Sequence, residues 1–157
     1  MENIIKTLPL TASDEEIRSL VTEWSELLAQ KRFQTALDMF PHFDRWVVWT
    51  AKELEETIAG YGSPDPYPDG IRFEIAMLRG RPDSADIIEH CIKVNREDLY
   101  GLDPLLYLGM VHYDDVPIKG YPDDPLKSYR SDMTARFNIK RFGDDRLTLE
   151  FADIHVM

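Results

Sequence analysis

The sequence predicts an α+β fold in which N-terminal helices pack on a curved antiparallel sheet. Apolar residues recur at helical spacing in the first part of the chain, and they alternate with polar residues near its end. The alternation changes phase once close to the C-terminus, which indicates a bend in the sheet. A chain of 157 residues is the usual size of one domain, so we expect residues 1–157 to form a single domain.

The composition narrows the classes of partner. The formal net charge of -11 would repel nucleic acid and an anionic membrane, so we expect neither. A basic protein or a small molecule held by local groups remains open. Cys91 is the only cysteine, which excludes an intramolecular disulfide. The N-terminal segment lacks a basic start followed by an apolar run, and no segment approaches the roughly 20 apolar residues that span a bilayer. We therefore expect a soluble, cytoplasmic protein.

Three helices are predicted before the sheet. Ser13 and Glu16 form a capping-box pattern ahead of the first helix. A second, short helix bears Phe33 to Phe40 and ends at Pro41, whose ring cannot continue the hydrogen-bond ladder. Thr50 and Glu53 repeat the cap for a third helix, which ends at Gly60 or Gly62. The first helix carries a continuous apolar stripe formed by Ile17, Leu20, Val21, Trp24, Leu27 and Leu28.

Two further segments have sequence patterns that are not helical. The aromatic and β-branched run 45–49 favours a short strand. The segment 60–70, GYGSPDPYPDG, is rich in proline and glycine and predicts a rigid loop that forms a rim or lid.

The segment 86–94 fits both a strand and a helix, and we favour the strand. Leu105 to Tyr113, LLYLGMVHY, predicts a further strand. The segment 114–125, DDVPIKGYPDDP, predicts a turn or a long connection.

The C-terminal residues predict a two-stranded ribbon. Met133, Ala135, Phe137 and Ile139 alternate with polar residues, and a short turn at residues 143–145 leads into the last strand. The apolar phase then shifts at Ile154, which predicts a bulge near Ala152 and Asp153.

This order of elements, together with SDMTARFNI (131–139) and LEFADIHVM (149–157), resembles small bacterial members of the NTF2-like superfamily, also called cystatin-like or SnoaL-like cones. The resemblance implies helices on a curved sheet, and it implies pairing of two copies through the outer sheet face. That superfamily includes isomerases, dehydratases and binding modules. No residues match the Tyr and Asp constellation of its ketosteroid isomerases, so no catalytic role is carried over.

The sequence offers few chemical candidates. Asp153 and His155 share a face of the last strand, where a carboxylate can orient an imidazole, but a position on the outer face or at a frayed end is the stronger interpretation. The histidines lack the spacing of a metal motif, so we predict no metal and no cofactor. Cys91 is interpreted as a buried small hydrophobe.

We predict that any ligand site lies between the apolar face of the sheet and the helices, with Trp24, Tyr107 and His112 as contacts. The favoured function is a non-enzymatic binding protein for a hydrophobic small molecule or for a basic protein. The alternative is a small enzyme of isomerase or dehydratase type, in which a buried carboxylate or His112 abstracts a proton next to a carbonyl. We also expect a homodimer formed through the face of Thr134, Arg136, Asn138 and Lys140.

Overall fold

A computed structural model describes residues 5–43, 48–97, 99 and 101–156 of the chain. It is an α+β structure in which helices pack against a curled antiparallel sheet that forms a half-barrel. The fold class predicted from the sequence is therefore confirmed. In the described residues no helix is both long enough and apolar enough to cross a membrane.

The helices begin at the predicted caps. The Ser13 side chain accepts a hydrogen bond from the Glu16 backbone, and the Glu16 carboxylate reaches back to Ser13, so the predicted capping box is present. The Thr50 side chain accepts a hydrogen bond from the Glu53 backbone N–H at the start of the third helix, and Gly60 follows the end of that helix. Among the described residues the four α-helices are α1 (Asp14–Ala29), α2 (Phe33–Asp38), α3 (Ala51–Ala59) and the single turn α4 (Ser84–Asp86).

In the part of the chain that the structure describes, eight strands form two sheets. The five-stranded sheet has the order β1-β8-β7-β4-β3, and the three-stranded sheet has the order β2-β5-β6. Their bounds are β1 (Leu8–Pro9), β2 (Glu74–Ile75), β3 (Ile92–Asn95), β4 (Tyr107–Tyr113), β5 (Pro117–Lys119), β6 (Tyr129–Arg130), β7 (Met133–Arg141) and β8 (Arg146–Val156). The sequence did not predict the smaller sheet, because its strands have only two or three residues and β5 lies within the segment interpreted as a turn or a long connection.

The predicted bulge is present. Arg136 lies opposite Asp153 and Phe137 lies opposite Phe151, so Ala152 is the extra residue on β8. The bulge returns Ile154 to the core, where 2% of its surface is exposed. The long ribbon of β7 and β8 therefore contributes one face of the core, as its alternation predicts.

The strand predicted over 86–94 is wrong for its first six residues. A π-helical turn, Ile87–Cys91, follows α4, and β3 begins only at Ile92. Ile87, Cys91 and Ile92 are buried, and this helical spacing carries the chain into the core before the strand begins. The segment fitted both periods because it contains both structures in succession.

Two further strands are predicted, one over 45–49 and one from Leu105. Residues 45–47 of the strand predicted over 45–49 lie outside the described residues. The strand predicted from Leu105 begins two residues later, at Tyr107, because the backbone N–H groups of Leu106 and Tyr107 both donate to the Asp103 carbonyl in a turn.

Candidate functional site

The loop predicted over 60–70 covers one side of a cavity of about 400 Å³. This volume falls within the range of roughly 300–1,000 Å³ that is usual for small-molecule sites. The cavity lies between the end of α3 and the residues that lead into β2. Its lining is formed by Glu56, Ala59, Gly60, Pro64, Pro66, Tyr67, Gly70, Ile71 and Arg72. We call it the loop cavity.

Glycine and proline give the loop its shape. A Cβ atom at Gly60 would lie 2.2 Å from the carbonyl oxygen of Ser63 and 2.4 Å from that of Asp65, so only glycine allows this close approach. Gly62 has a φ of +84°, and its N–H donates to the carbonyl of Thr57 on the helix. Pro64 and Pro66 have fixed φ angles, which reduces the number of conformations open to this wall.

Aromatic rings support the loop from the other side. The ring centroids of Tyr67 and Phe73 are 4.9 Å apart, and those of Tyr61 and Phe73 are 5.0 Å apart. The hydroxyls of Tyr61 and Tyr121 lie 3.3 Å apart, which ties the loop to the connection after β5. Burial raises the pKa of the Tyr121 phenol, and the contact with Tyr61 acts in the same direction, so this hydroxyl is protonated at neutral pH.

Arg72 is the cationic group of the loop cavity. It also lines a neighbouring cavity of about 90 Å³, so it stands between the two spaces. Its guanidinium has no hydrogen-bond or ion-pair partner among the described residues. Glu55 and Glu74 are the acidic residues that line the neighbouring cavity, and Glu74 is held by Lys31 at 2.7 Å and Lys119 at 3.3 Å. The hydrogen bond from Lys31 is the main cause that lowers the pKa of Glu74. Arg72 is therefore available to an acidic group of a ligand.

The structure does not bring the predicted ligand contacts together. Trp24 is fully buried, with its ring centroid 4.9 Å from that of Phe137, and its Nε1 atom has no acceptor among the described residues. The Lys140 ammonium lies over the Tyr107 ring, with Nζ 4.6 Å from the ring centroid. His112 is half-buried on the opposite face of β4 from the core residue Val111. None of the three lines either cavity, and their role in binding stays a prediction.

Two buried carboxylates bear on the enzyme alternative. Glu26 accepts a hydrogen bond of 2.8 Å from the Arg79 backbone. Glu150 accepts one of 2.8 Å from Asn138, and its other oxygen lies 3.7 Å from the Lys140 ammonium. Each carboxylate thus accepts a hydrogen bond through one of its oxygens. Neither lines the loop cavity.

Asp153 and His155 form the predicted contact, with Nδ1 of His155 lying 3.0 Å from Asp153 Oδ1. Arg136 also binds Asp153 through two nitrogens. Burial acts to raise the pKa of the Asp153 carboxyl, but the hydrogen bonds and charge of Arg136, aided by His155, hold it below its usual range. The pair lies on the outer face of the sheet, where this arrangement is a surface ion-pair network.

Cys91 lies at the end of the π-helical turn. Burial raises the pKa of its thiol and outweighs the attraction of Arg130, whose Nη2 donates to Sγ at 2.9 Å. A raised pKa keeps the thiol protonated at neutral pH, which disfavours a role as nucleophile.

The residues that line the loop cavity were only partly foreseen. The proline and glycine content of 60–70 identified the rim, whereas Arg72 carries no local motif. Within the described ranges, no group of three or more His, Cys, Asp or Glu side chains is arranged to hold a metal ion. Comparison of the chain with models of protein families, with curated proteins and with solved structures finds no match.

Proposed function

We propose that this protein is a non-enzymatic binding protein that holds a small, largely apolar molecule in the loop cavity. The observation that carries the proposal is the cavity itself, about 400 Å³ with walls of proline, glycine, alanine, isoleucine and tyrosine. Apolar walls with few polar groups are typical of small-molecule sites, and a wall with few accessible conformations loses little entropy when a ligand binds.

The polar groups of the cavity define the rest of the ligand. Arg72 presents donors that suit a carboxylate, sulfonate or phosphate. Glu56 also lines the cavity and would repel an acidic group placed close to it. The ligand that fits best has an apolar body against Pro64, Pro66 and Tyr67 and one acidic group at Arg72.

The same proposal places the chain in the NTF2-like superfamily, as a cytoplasmic binding module that pairs into a homodimer. Helices packed on a curled antiparallel sheet support this placement. A binding role is preferred to an isomerase or dehydratase because neither of the buried carboxylates, Glu26 and Glu150, lines the loop cavity.

Titration with 1-anilinonaphthalene-8-sulfonate tests the proposal, since this fluorescent probe joins an apolar body to one sulfonate. We expect saturable binding of one probe per chain under conditions where the protein melts cooperatively. Ile71→Trp fills the cavity from its wall and should weaken probe binding at least tenfold. Met77→Trp adds the same ring at an exposed position outside the cavity and should leave binding unchanged.

Arg72→Ala separates the polar contact from the apolar one. It should weaken probe binding several-fold, whereas Arg32→Ala, at an arginine whose guanidinium has no hydrogen-bond or ion-pair partner among the described residues, should not. Equal affinity for the wild-type and Ile71→Trp proteins would refute a site in the loop cavity.

A further inference from the structure

An exposed apolar patch lies at the opposite end of the sheet from the loop cavity. It consists of Leu105, Leu106 and Phe142, whose exposed fractions are 75%, 50% and 38%. The Arg141 N–H donates to the Leu106 carbonyl at 2.8 Å, which holds the two segments side by side. We call these three residues the hairpin-tip patch.

Hydrogen bonds in two tight turns fix the patch in its exposed position. The Leu105 N–H donates to the Asp103 carboxylate at 2.9 Å, and the N–H groups of Leu106 and Tyr107 donate to the Asp103 carbonyl. In the turn between β7 and β8, the Phe142 N–H donates to the Arg146 carbonyl at 2.9 Å. The apolar side chains are therefore displayed by ordered backbone.

The surroundings of the patch are mainly acidic. Asp103 precedes Leu105 by two residues, and Asp144 and Asp145 follow Phe142 in the same turn, all three exposed. Two arginines belong to the same turn: the exposed Arg141 guanidinium lies 3.4 Å from the carbonyl oxygen of Asp144, and the half-buried Arg146 guanidinium binds Thr7. Three exposed aspartates therefore accompany one exposed arginine. An apolar centre with an acidic rim complements a surface that presents apolar side chains between lysines or arginines.

Charge also decides between the possible occupants. A second copy of this chain would place the same acidic rim opposite itself, on a molecule whose net charge is already -11. An anionic membrane would be repelled for the same reason. We propose that the hairpin-tip patch docks a basic protein segment that carries apolar side chains.

This surface is distinct from the proposed ligand site. Gly62, in the loop beside the cavity, lies against Val156 at the end of β8, whereas Phe142 lies beyond Arg146 at its start. Eleven residues of strand separate the two ends, which corresponds to about 30 Å. Loss of probe binding in the loop cavity therefore carries no consequence for docking at the patch.

Nuclear magnetic resonance titration with a synthetic amphipathic peptide of leucine and lysine tests the proposal. We expect backbone amide shifts confined to residues 101–107 and 141–146 and an affinity that falls with added salt. Matched peptides with glutamate for every lysine, or serine for every leucine, should bind at least tenfold more weakly.

Variants identify the contact residues. Leu105→Ser combined with Leu106→Ser should weaken the leucine-lysine peptide at least tenfold, whereas Leu126→Ser, at a leucine that is 87% exposed elsewhere, should have little effect. Shifts that map outside the patch, or equal binding by the double variant, overturn the proposal. If the wild-type protein has a dimer mass and the double variant does not, the occupant is a second copy. If the wild-type protein binds phosphatidylserine vesicles and the double variant does not, the occupant is a membrane. Either result also overturns it.

Discussion

At the scale of single residues, the Asp153 carboxylate shows how one ion pair couples to pH. Its pKa in the folded protein lies below the value of about 3.9 that is usual for aspartate. The carboxylate therefore stabilises the fold above about pH 4, and this contribution is lost as the pH falls through the lowered pKa. Arg136 is the partner that holds the charge in place.

The Asp153→Asn variant should therefore lose about 1 kcal/mol of unfolding free energy at neutral pH, because a partly exposed ion pair contributes little more than that. The difference from wild type should shrink as the pH falls below about 4. Urea melts across this pH range measure it, with Asp123→Asn at an exposed turn as the control. A difference that stays constant down to strongly acid pH would contradict the assignment.

At the scale of elements, short sequence patterns predicted the structure correctly where the interactions join residues close together in the chain. Ser13 and Thr50 marked helix starts because a cap depends on residues within three positions. The change of phase at Ile154 located the bulge because strand side chains alternate strictly. The strand predicted over 86–94 was wrong for residues 86–91, since whether a buried isoleucine belongs to a helical turn or a strand depends on its contacts with distant residues.

The proline-rich loop depends on one close backbone approach. Gly60→Ala would bring a Cβ atom within 2.2 Å of the Ser63 carbonyl oxygen, so the loop must move. We expect a loss of about 1–3 kcal/mol in unfolding free energy and a large loss of probe affinity, because Gly60 itself and Pro64, the residue after Ser63, line the loop cavity.

Gly70→Ala is the matched control for that change. Gly70 also lines the cavity, but a Cβ atom there meets nothing within 4 Å, and only its positive φ of +72° opposes the substitution. This variant should lose about 1 kcal/mol and keep its probe affinity. Equal effects of the two substitutions on binding, measured by fluorescence titration, would show that the loop does not shape the site.

At the scale of the whole molecule, the candidate sites were less predictable than the fold. Arg72 joins the cavity through the packing of β2 against α3 and the loop, a contact that no spacing in the sequence encodes. The hairpin-tip patch likewise unites Leu106 and Phe142 from two turns that are distant in the chain. Trp24 was assigned to a helical stripe correctly, but the stripe cannot show that Phe137 would occupy the space beside it.

The outer sheet face is the surface on which the expected homodimer depends. Its charges are balanced within one chain, because Lys93 pairs with Asp114 at 2.8 Å and Arg136 pairs with Asp153. Two copies are therefore not repelled here, unlike at the acidic hairpin tips. Arg136 and Asn138 stay half-buried on this face, whereas Thr134 and Lys140 are already buried by their own chain.

We expect light scattering at micromolar concentration to give the mass of two chains. Arg136→Glu should shift the mass to one chain, because it removes the partner of Asp153 and places like charges together at the centre of the proposed interface. Arg141→Glu makes the same change of charge at the hairpin tip and should leave the dimer intact. A single-chain mass for the wild-type protein would show that the balanced outer face is solvated, as an antiparallel sheet with one polar face allows.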